Sequence, residues 1–284
     1  MIYYYLPGLF EFFGLYQDLI NIYNNERDKF NDNCAIGSIY GAPPDTLWNG
    51  GRCAGHGCNQ IFEVVNWSIC NNIPCNLTFT NCLLQKEHFL DKYCNSLLSA
   101  FHHSKNGITI YSDELRDYIK EKYPKYKFTS STTKCLKEEQ AVLQELENYD
   151  IVVLDYNFNR NDEFLNRLPH KEKCELLINP VCSPNCPQRF QHYIEISEFA
   201  LGLTTNETRG IMCPHQSKKF WEVLKNNPLA LSIKDVEEYS KRGFQHFKIE
   251  GRTADPADLI EILVYYMIKP EYQLEVRQRL LYRN

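Results

Sequence analysis

The 284-residue sequence lacks the features that mark several common protein classes. Its longest apolar runs fall well short of the roughly 18 residues that a membrane span needs. The N-terminus has no basic segment, and Pro7 and Gly8 interrupt its apolar residues, so we expect no signal peptide. Internal repeats, low-complexity segments and a linker are also missing. We therefore predict a cytoplasmic protein without a membrane segment that folds as one domain over residues 1–284.

Common catalytic signatures are missing as well. The chain has no HExxH, P-loop or GxSxG motif, so the usual metalloprotease, NTPase and serine-hydrolase mechanisms lack their parts. The net charge is −5 and the pI is near 5.9, which disfavours a general nucleic-acid-binding protein. This acidic net charge makes RNA a less expected partner than a small molecule or a peptide.

Short apolar runs predict eight strands that alternate with helical segments. Such alternation is typical of parallel strands joined by crossover helices. A closed (β/α)8 TIM-like barrel fits the number of strands and the chain length best, and an open doubly wound sheet is the alternative. No GxGxxG follows the first strand, which disfavours that alternative. The strands are predicted at residues 2–6, 34–40, 75–80, 107–111, 126–130, 151–154, 176–178 and 244–249.

Cysteine, in contrast, is abundant, with twelve residues in the chain. Without a secretion signal, some of them are expected to serve metal or redox chemistry and the others to be small buried side chains. Cys182 and Cys186 lie in a proline-rich loop after a predicted strand, Cys213 lies in a later loop, and Cys53 follows two glycines. We predict that these four thiols bind a metal centre at the C-terminal mouth of the barrel, with His192 and His215 as alternatives to Cys53 for the fourth ligand. Thiolates suit an iron–sulfur cluster and zinc about equally.

The spacing of the thiols excludes some kinds of site. Three residues separate Cys182 from Cys186, which is wider than the CxxC of most zinc sites. A radical-SAM triad would need a third cysteine at position 189, where Arg189 stands.

Lys248, Glu250 and Arg252 alternate at the end of the last predicted strand, so their side chains lie on one face. Phe247 and Ile249 need the apolar face beneath the helices, which turns the charged row toward the barrel interior. Charges placed there must pair or meet a ligand, because burying them alone is costly. We predict that all three are catalytic residues. Arg252 would bind a substrate carboxylate or phosphate, and Glu250 would orient it or act as a base.

Four more residues are candidates for substrate binding. Arg52 follows glycines that allow a close backbone approach, and we expect it to converge with Arg252 on one anionic group. Arg189 and His192 follow the cysteine loop and are expected to contact substrate. Asp155 ends a buried strand and is a weaker acid–base candidate.

Taken together, these motifs resemble the peptidase U32 (collagenase-like peptidase) family. The resemblance rests on residues 247–252, on residues 49–52 and on a strand that leads to Cys182, and it spans residues 35–260. It implies a barrel that holds a [4Fe-4S] cluster on four cysteines. Several members of that family take part in oxygen-independent hydroxylation of transfer RNA, ribosomal RNA or the ubiquinone ring.

By position, the resemblance assigns the cluster ligands to Cys182, Cys186, Cys213 and Cys53, the last of these as in the ubiquinone-pathway members. The usual cysteine-rich segment after the strand-end cysteine is replaced here by a more widely spaced set.

We therefore predict an iron–sulfur enzyme that catalyses an oxygen-independent hydroxylation, or a related redox modification, of a small molecule or peptide. One alternative is a metal-dependent hydrolase or peptidase with zinc on the same thiols. Another is a non-catalytic cluster-binding protein that works with a partner subunit, and RNA modification also stays open.

Overall fold

Eight parallel strands close into a barrel in the order of the chain. The computed structural model describes residues 1–53, 57–205 and 219–282. Tyr4 of the first strand pairs with Phe247 of the last, which closes the sheet. The strands are Ile2–Pro7 (β1), Cys34–Gly41 (β2), Cys75–Phe79 (β3), Gly107–Ile110 (β4), Lys127–Ser130 (β5), Ile151–Val153 (β6), Cys174–Leu177 (β7) and His246–Lys248 (β8). The predicted (β/α)8 barrel is confirmed, and the open sheet is wrong because β1 and β8 pair.

Eleven α-helices are present in the described parts of the chain, and none of them is long and apolar enough to cross a membrane. Local sequence fixes several helix starts. Ser112 and Ser232 cap two helices through their hydroxyls, and Asp255 caps a third whose first residue is Pro256. The helices are Phe13–Asn25 (α1), Ile61–Cys70 (α2), Lys92–Ala100 (α3), Asp113–Lys122 (α4), Glu139–Asn148 (α5), Asp162–Arg167 (α6), Arg189–Ala200 (α7), Phe220–Asn226 (α8), Ile233–Lys241 (α9), Pro256–Met267 (α10) and Gln273–Leu281 (α11).

The two faces of the sheet differ in chemistry. Phe247 and Ile249 lie in the apolar core outside the sheet, together with Leu259 and Leu263 of α10. Burial of this layer supplies the main driving force for folding. Barrel interiors are usually filled by branched apolar side chains. Here many of the strand residues turned away from the helices carry hydroxyl, amide or charged groups, so the interior is suited to bind polar ligands.

Candidate active site

A cavity of about 90 Å³ lies at the C-terminal mouth of the barrel. This volume corresponds to roughly six to nine water-sized atoms, enough for a small molecule or for one group of a larger one. Barrel enzymes hold their active sites at this end. Beside the charged side chains described below, the cavity is lined by hydroxyl and aromatic residues, among them Tyr40, Thr78, Thr80, Thr109, Ser131, Thr132, Thr133, Tyr156 and Tyr193.

The predicted row of Lys248, Glu250 and Arg252 lies along this cavity. The inward direction that the sequence indicated is therefore correct, since Phe247 and Ile249 fill the apolar layer on the other face. The catalytic roles of the three charged residues stay predictions.

Arg252 is held entirely by protein acceptors. Its Nε donates to Glu11 Oε1 at 2.9 Å, and its Nη1 donates to Asn49 Oδ1 and Thr78 Oγ1, both at 3.2 Å. Its Nη2 donates to the carbonyl oxygen of Ala42 at 3.3 Å. Although burial works against the charged form, Glu11, Cys53 and Tyr40 together outweigh it and raise the pKa of Arg252. The guanidinium is thus a cation that ties the end of β8 to three other segments.

Arg52 has a different environment. Its Nη1 lies 3.3 Å from Glu250 Oε1 and its Nη2 lies 3.1 Å from Cys182 Sγ, while its buried Nε has no hydrogen-bond partner among the described residues. Gly50 fixes the position of this loop, because a Cβ there would lie 2.4 Å from the carbonyl oxygen of Thr80. The Nε–H of a guanidinium that lines the cavity is therefore without an acceptor among the described residues.

Arg189 and Asp155 form a buried ion pair on another wall of the cavity. Arg189 Nη2 also donates to the carbonyl and hydroxyl oxygens of Thr132, and its Nε lies 3.3 Å from Tyr193 Oη. The guanidinium lies 4.3 Å from the centre of the Tyr156 ring. This network joins the loops after β5 and β6 to the start of α7. A substrate-binding role for Arg189 and Asp155 stays a prediction.

Lys248 and Glu175 form a second buried pair, with 2.9 Å between Lys248 Nζ and Glu175 Oε1. The ammonium also lies 3.9 Å from the centre of the Tyr40 ring. Glu175 Oε2 is buried and has no partner among the described residues. Of the pair, Lys248 lines the cavity and Glu175 does not.

His192 lies on α7 and is not among the residues that line the cavity. Its Nδ1 is buried without a partner in the described ranges. Burial, followed by the charge of Arg52, lowers the pKa of His192, so the imidazole is neutral near pH 7. Its predicted contact with substrate stays a prediction.

Two of the predicted metal ligands lie together. Cys182 and Cys186 belong to one buried apolar cluster with Tyr156, Leu177 and Leu229. Cys182 also lines the cavity. Burial, followed by the charge of Glu250, raises the pKa of the Cys182 thiol.

The other two predicted ligands do not join them in the described structure. Cys53 accepts a hydrogen bond from Asn49 Nδ2 at 3.3 Å and is not in the thiol cluster. Cys213, like His215, lies outside the described residues. No group of three or more His, Cys, Asp or Glu side chains within residues 1–53, 57–205 and 219–282 is arranged to hold a metal ion. The residues described thus do not supply the four thiolates of a [4Fe-4S] cluster, and the cofactor stays a prediction.

Two acidic partners were not predicted from the sequence. Glu11 stands alone among aromatic residues, and Glu175 stands alone within the apolar strand β7. An isolated acid in a buried segment needs a cation, because an unpaired buried carboxylate is costly. That rule indicates that each of these acids needs a cationic partner, although it does not say which one.

Comparison with known proteins supports the fold. No protein-family model and no curated protein matches the sequence. The structure is similar to that of the U32 peptidase Mk0906, with a TM-score of 0.57 and 12% sequence identity over 88% of this chain and 94% of that one. At this level of identity the similarity shows a shared barrel fold. It agrees with the family whose motifs the sequence resembles.

Proposed function

We propose that this chain is an enzyme that binds a small molecule or a peptide through an anionic or carbonyl oxygen at the barrel mouth. The observation that carries the proposal is that Arg52 lines the cavity and that its buried Nε has no partner among the described residues. Leaving such a donor unpaired costs free energy, which a substrate oxygen would recover.

Arg52 is suited to this task by its charge and its fixed geometry. Burial opposes the charged form, but Tyr193, Glu250 and Cys182 outweigh it and raise the pKa of the guanidinium. Its two Nη atoms each contact one acceptor, Glu250 and Cys182, and these contacts fix the plane of the guanidinium and so the direction of its other N–H donors. A planar, fixed guanidinium recognises a carboxylate or a similar oxyanion by shape as well as charge.

Glu250 is our candidate for the proton-transfer group. Its carboxylate accepts from Arg52 and from the backbone N–H of Val181 at 3.3 Å, while 27% of the side chain stays exposed. A carboxylate held by two donors at the edge of a cavity has a fixed position and access to substrate. It would take a proton from a substrate bound to Arg52.

For the reaction we propose an oxygen-independent hydroxylation, or a related redox modification, that depends on a [4Fe-4S] cluster. Support comes from the resemblance to the U32 family and from two neighbouring thiols, Cys182 at the cavity and Cys186 in the same buried cluster. Two thiols are fewer than such a cluster takes, so its other ligands need to be identified. Peptide hydrolysis with zinc on the same thiols is a second candidate, favoured by the name of the structural neighbour. A partner subunit, RNA as substrate and a cytoplasmic location stay predictions.

Metal analysis separates these reactions. The protein and its Cys182→Ser, Cys186→Ser and Cys70→Ser variants would be purified without oxygen and assayed for iron, sulfide and zinc. Cys70 is an exposed cysteine on α2 and serves as the matched control. About four irons per chain, lost in the first two variants and kept in the third, would support the cluster. One zinc would support the hydrolase, and a metal-free protein would contradict both.

The substrate-binding part is tested independently of the metal. A panel of small carboxylates, oxoacids and peptides would be screened for thermal stabilisation of the parent protein and of Arg52→Lys. We expect compounds that stabilise the parent and lose that effect in the variant. If the compounds that bind stabilise both proteins equally, the role of Arg52 is refuted.

A further inference from the structure

A second and larger cavity, of about 480 Å³, lies at the N-terminal end of the barrel. It is formed by the first residues of the strands, and Lys127 of β5 and His246 of β8 are in its lining. Lys248, two residues further along β8, belongs to the active-site cavity instead. The two cavities are thus at opposite ends of the same strands. The second one is of a size that holds a small organic molecule.

The charge of this cavity favours an anion. Lys105 and Lys127 line it, and none of the described lining residues is Asp or Glu, although the whole chain carries a net charge of −5. The Lys127 ammonium forms no hydrogen bond or ion pair with another described residue, its backbone N–H being bonded to Asn106, while Lys105 donates to the side-chain oxygen of Asn72. The buried acid behind this end, Glu175, is paired with Lys248. Two exposed lysines therefore border the cavity, and no described acidic residue lines it.

A buried hydroxyl at this cavity also lacks a partner. Ser38 of β2 is 1% exposed and lines the cavity, and its Oγ makes no hydrogen bond to a described residue. Buried hydroxyls are normally satisfied, because leaving one unpaired costs free energy. A ligand oxygen that reaches Ser38 would satisfy it.

The remaining lining is suited to a ring. Tyr3 stacks on His246 with 5.7 Å between ring centres and 24° between ring planes. Both nitrogens of His246 are already engaged, with Tyr5 Oη at 2.9 Å and the carbonyl oxygen of Glu172 at 2.8 Å. His246 therefore offers ring surface and no free hydrogen-bonding group. Gly37 leaves room for the Tyr5 ring, since a Cβ at this position would lie 2.8 Å from it.

We propose that the N-terminal end of the barrel binds a small aromatic anion, in which a ring carries a carboxylate or a phosphate. The ring lies against the aromatic side chains, and the charged oxygens meet Lys127 and Ser38. This site is separate from the one at Arg52 and does not depend on it.

The full-length protein tests this by calorimetric titration with phenyl phosphate, benzoate, inorganic phosphate and benzyl alcohol. We expect at least one aromatic anion to bind. Inorganic phosphate and benzyl alcohol should bind at least about tenfold more weakly, because the first lacks the ring and the second lacks the charged group. Binding of only phenyl phosphate or only benzoate would identify the phosphate or the carboxylate as the anion. No binding of either at millimolar concentration would overturn the proposal.

Variants then locate the bound anion. Ser38→Ala and Lys127→Glu should each weaken binding about tenfold, the cost of one lost hydrogen bond or charge contact. Ser38→Ala should also keep or raise the melting temperature, because it removes an unpaired buried hydroxyl. Weaker binding without a loss of stability would show that Ser38 contacts the ligand and is not needed for folding.

Lys125→Glu is the matched control, because Lys125 is an exposed lysine that does not line the cavity. It should leave binding unchanged. Equal losses in Lys125→Glu and Lys127→Glu would show non-specific attraction, and a loss in Arg52→Lys would place the anion in the active site. Either result, or affinities within about twofold of the parent in both Ser38→Ala and Lys127→Glu, refutes the proposal.

Discussion

Arg52 and Arg252 lie at the same barrel mouth, but their surroundings differ. Arg252 donates to four protein acceptors, one of them the buried carboxylate of Glu11. Arg52 makes two side-chain contacts and keeps a buried donor without a partner among the described residues. The comparison teaches that a charged residue in an active-site cavity can belong to the scaffold, and that incomplete pairing distinguishes the group that is available to a ligand.

The largest effect is expected from Arg252→Ala. This change leaves the Glu11 carboxylate buried and unpaired, which should cost about 3–5 kcal/mol of the free energy of unfolding. Urea denaturation measures it. Arg279→Ala, which removes a partly exposed partner of Glu26, is the control and should cost no more than about 1 kcal/mol. Similar losses of unfolding free energy in the two variants would show that Arg252 does not stabilise the C-terminal mouth of the barrel.

Arg52→Lys should act on binding instead of folding. Lysine keeps the charge but cannot place a donor where Nε lies, so affinity for a carboxylate or oxoacid substrate should fall by about 1.5–3 kcal/mol. Isothermal titration with a compound that stabilises the parent protein gives this value. Unchanged affinity would show that Arg52 does not bind the substrate.

Gly50→Ala should displace Arg52 indirectly, by moving the backbone of the loop that carries it. The added methyl group would lie 2.4 Å from the carbonyl oxygen of Thr80, so we expect a loss of about 1–3 kcal/mol in unfolding free energy together with weaker binding. At Gly51 the nearest atom to an added methyl group is Thr80 Oγ1 at 3.4 Å, an ordinary contact. Gly51→Ala is therefore the matched control. Equal behaviour of both variants would contradict the close approach at Gly50.

The smallest effect is expected at a partly exposed pair that does not line the cavity, Asp235 with Arg160. Burial alone would raise the pKa of Asp235, but hydrogen bonds from Arg160 and Ser232 lower it to about 2. The pair therefore adds stability above the unfolded-state pKa near 3.9, and this stability is lost as the pH falls toward 2. Because both side chains are partly exposed, the contribution should be no more than about 1 kcal/mol. Asp235→Asn should flatten the pH dependence of unfolding between pH 4 and 2, and an unchanged slope would contradict this.

The fold could be predicted from the sequence because each strand corresponds to a short local run of residues with strand-like composition. Every predicted strand lies within two residues of an observed one at each end, including the short β6 and β8. Helices α2, α6, α7 and α11 were not predicted. In α7, polar residues are spread around the helix, so the apolar periodicity that indicates a helix is weak there.

The site could be predicted only in part. Alternation at Lys248, Glu250 and Arg252 is visible along one strand, so their shared inward face followed from the sequence. The partner of Arg252 is Glu11, 241 residues away, and no local pattern reveals such a pairing. For this reason the sequence suggested the same anion-binding role for Arg52 and Arg252. Cysteine spacing has the same limit, since it does not determine the distance between thiols on different loops.

The central claim is that Arg252 stabilises the fold and that Arg52 binds the ligand. One paired measurement tests it most directly. The free energy of unfolding would be determined for Arg252→Lys and Arg52→Lys under identical conditions without ligand. We expect Arg252→Lys to lose at least about 2 kcal/mol, because lysine cannot keep four hydrogen bonds, and Arg52→Lys to lose less than about 1 kcal/mol. Equal losses, or a larger loss for Arg52→Lys, would contradict the account.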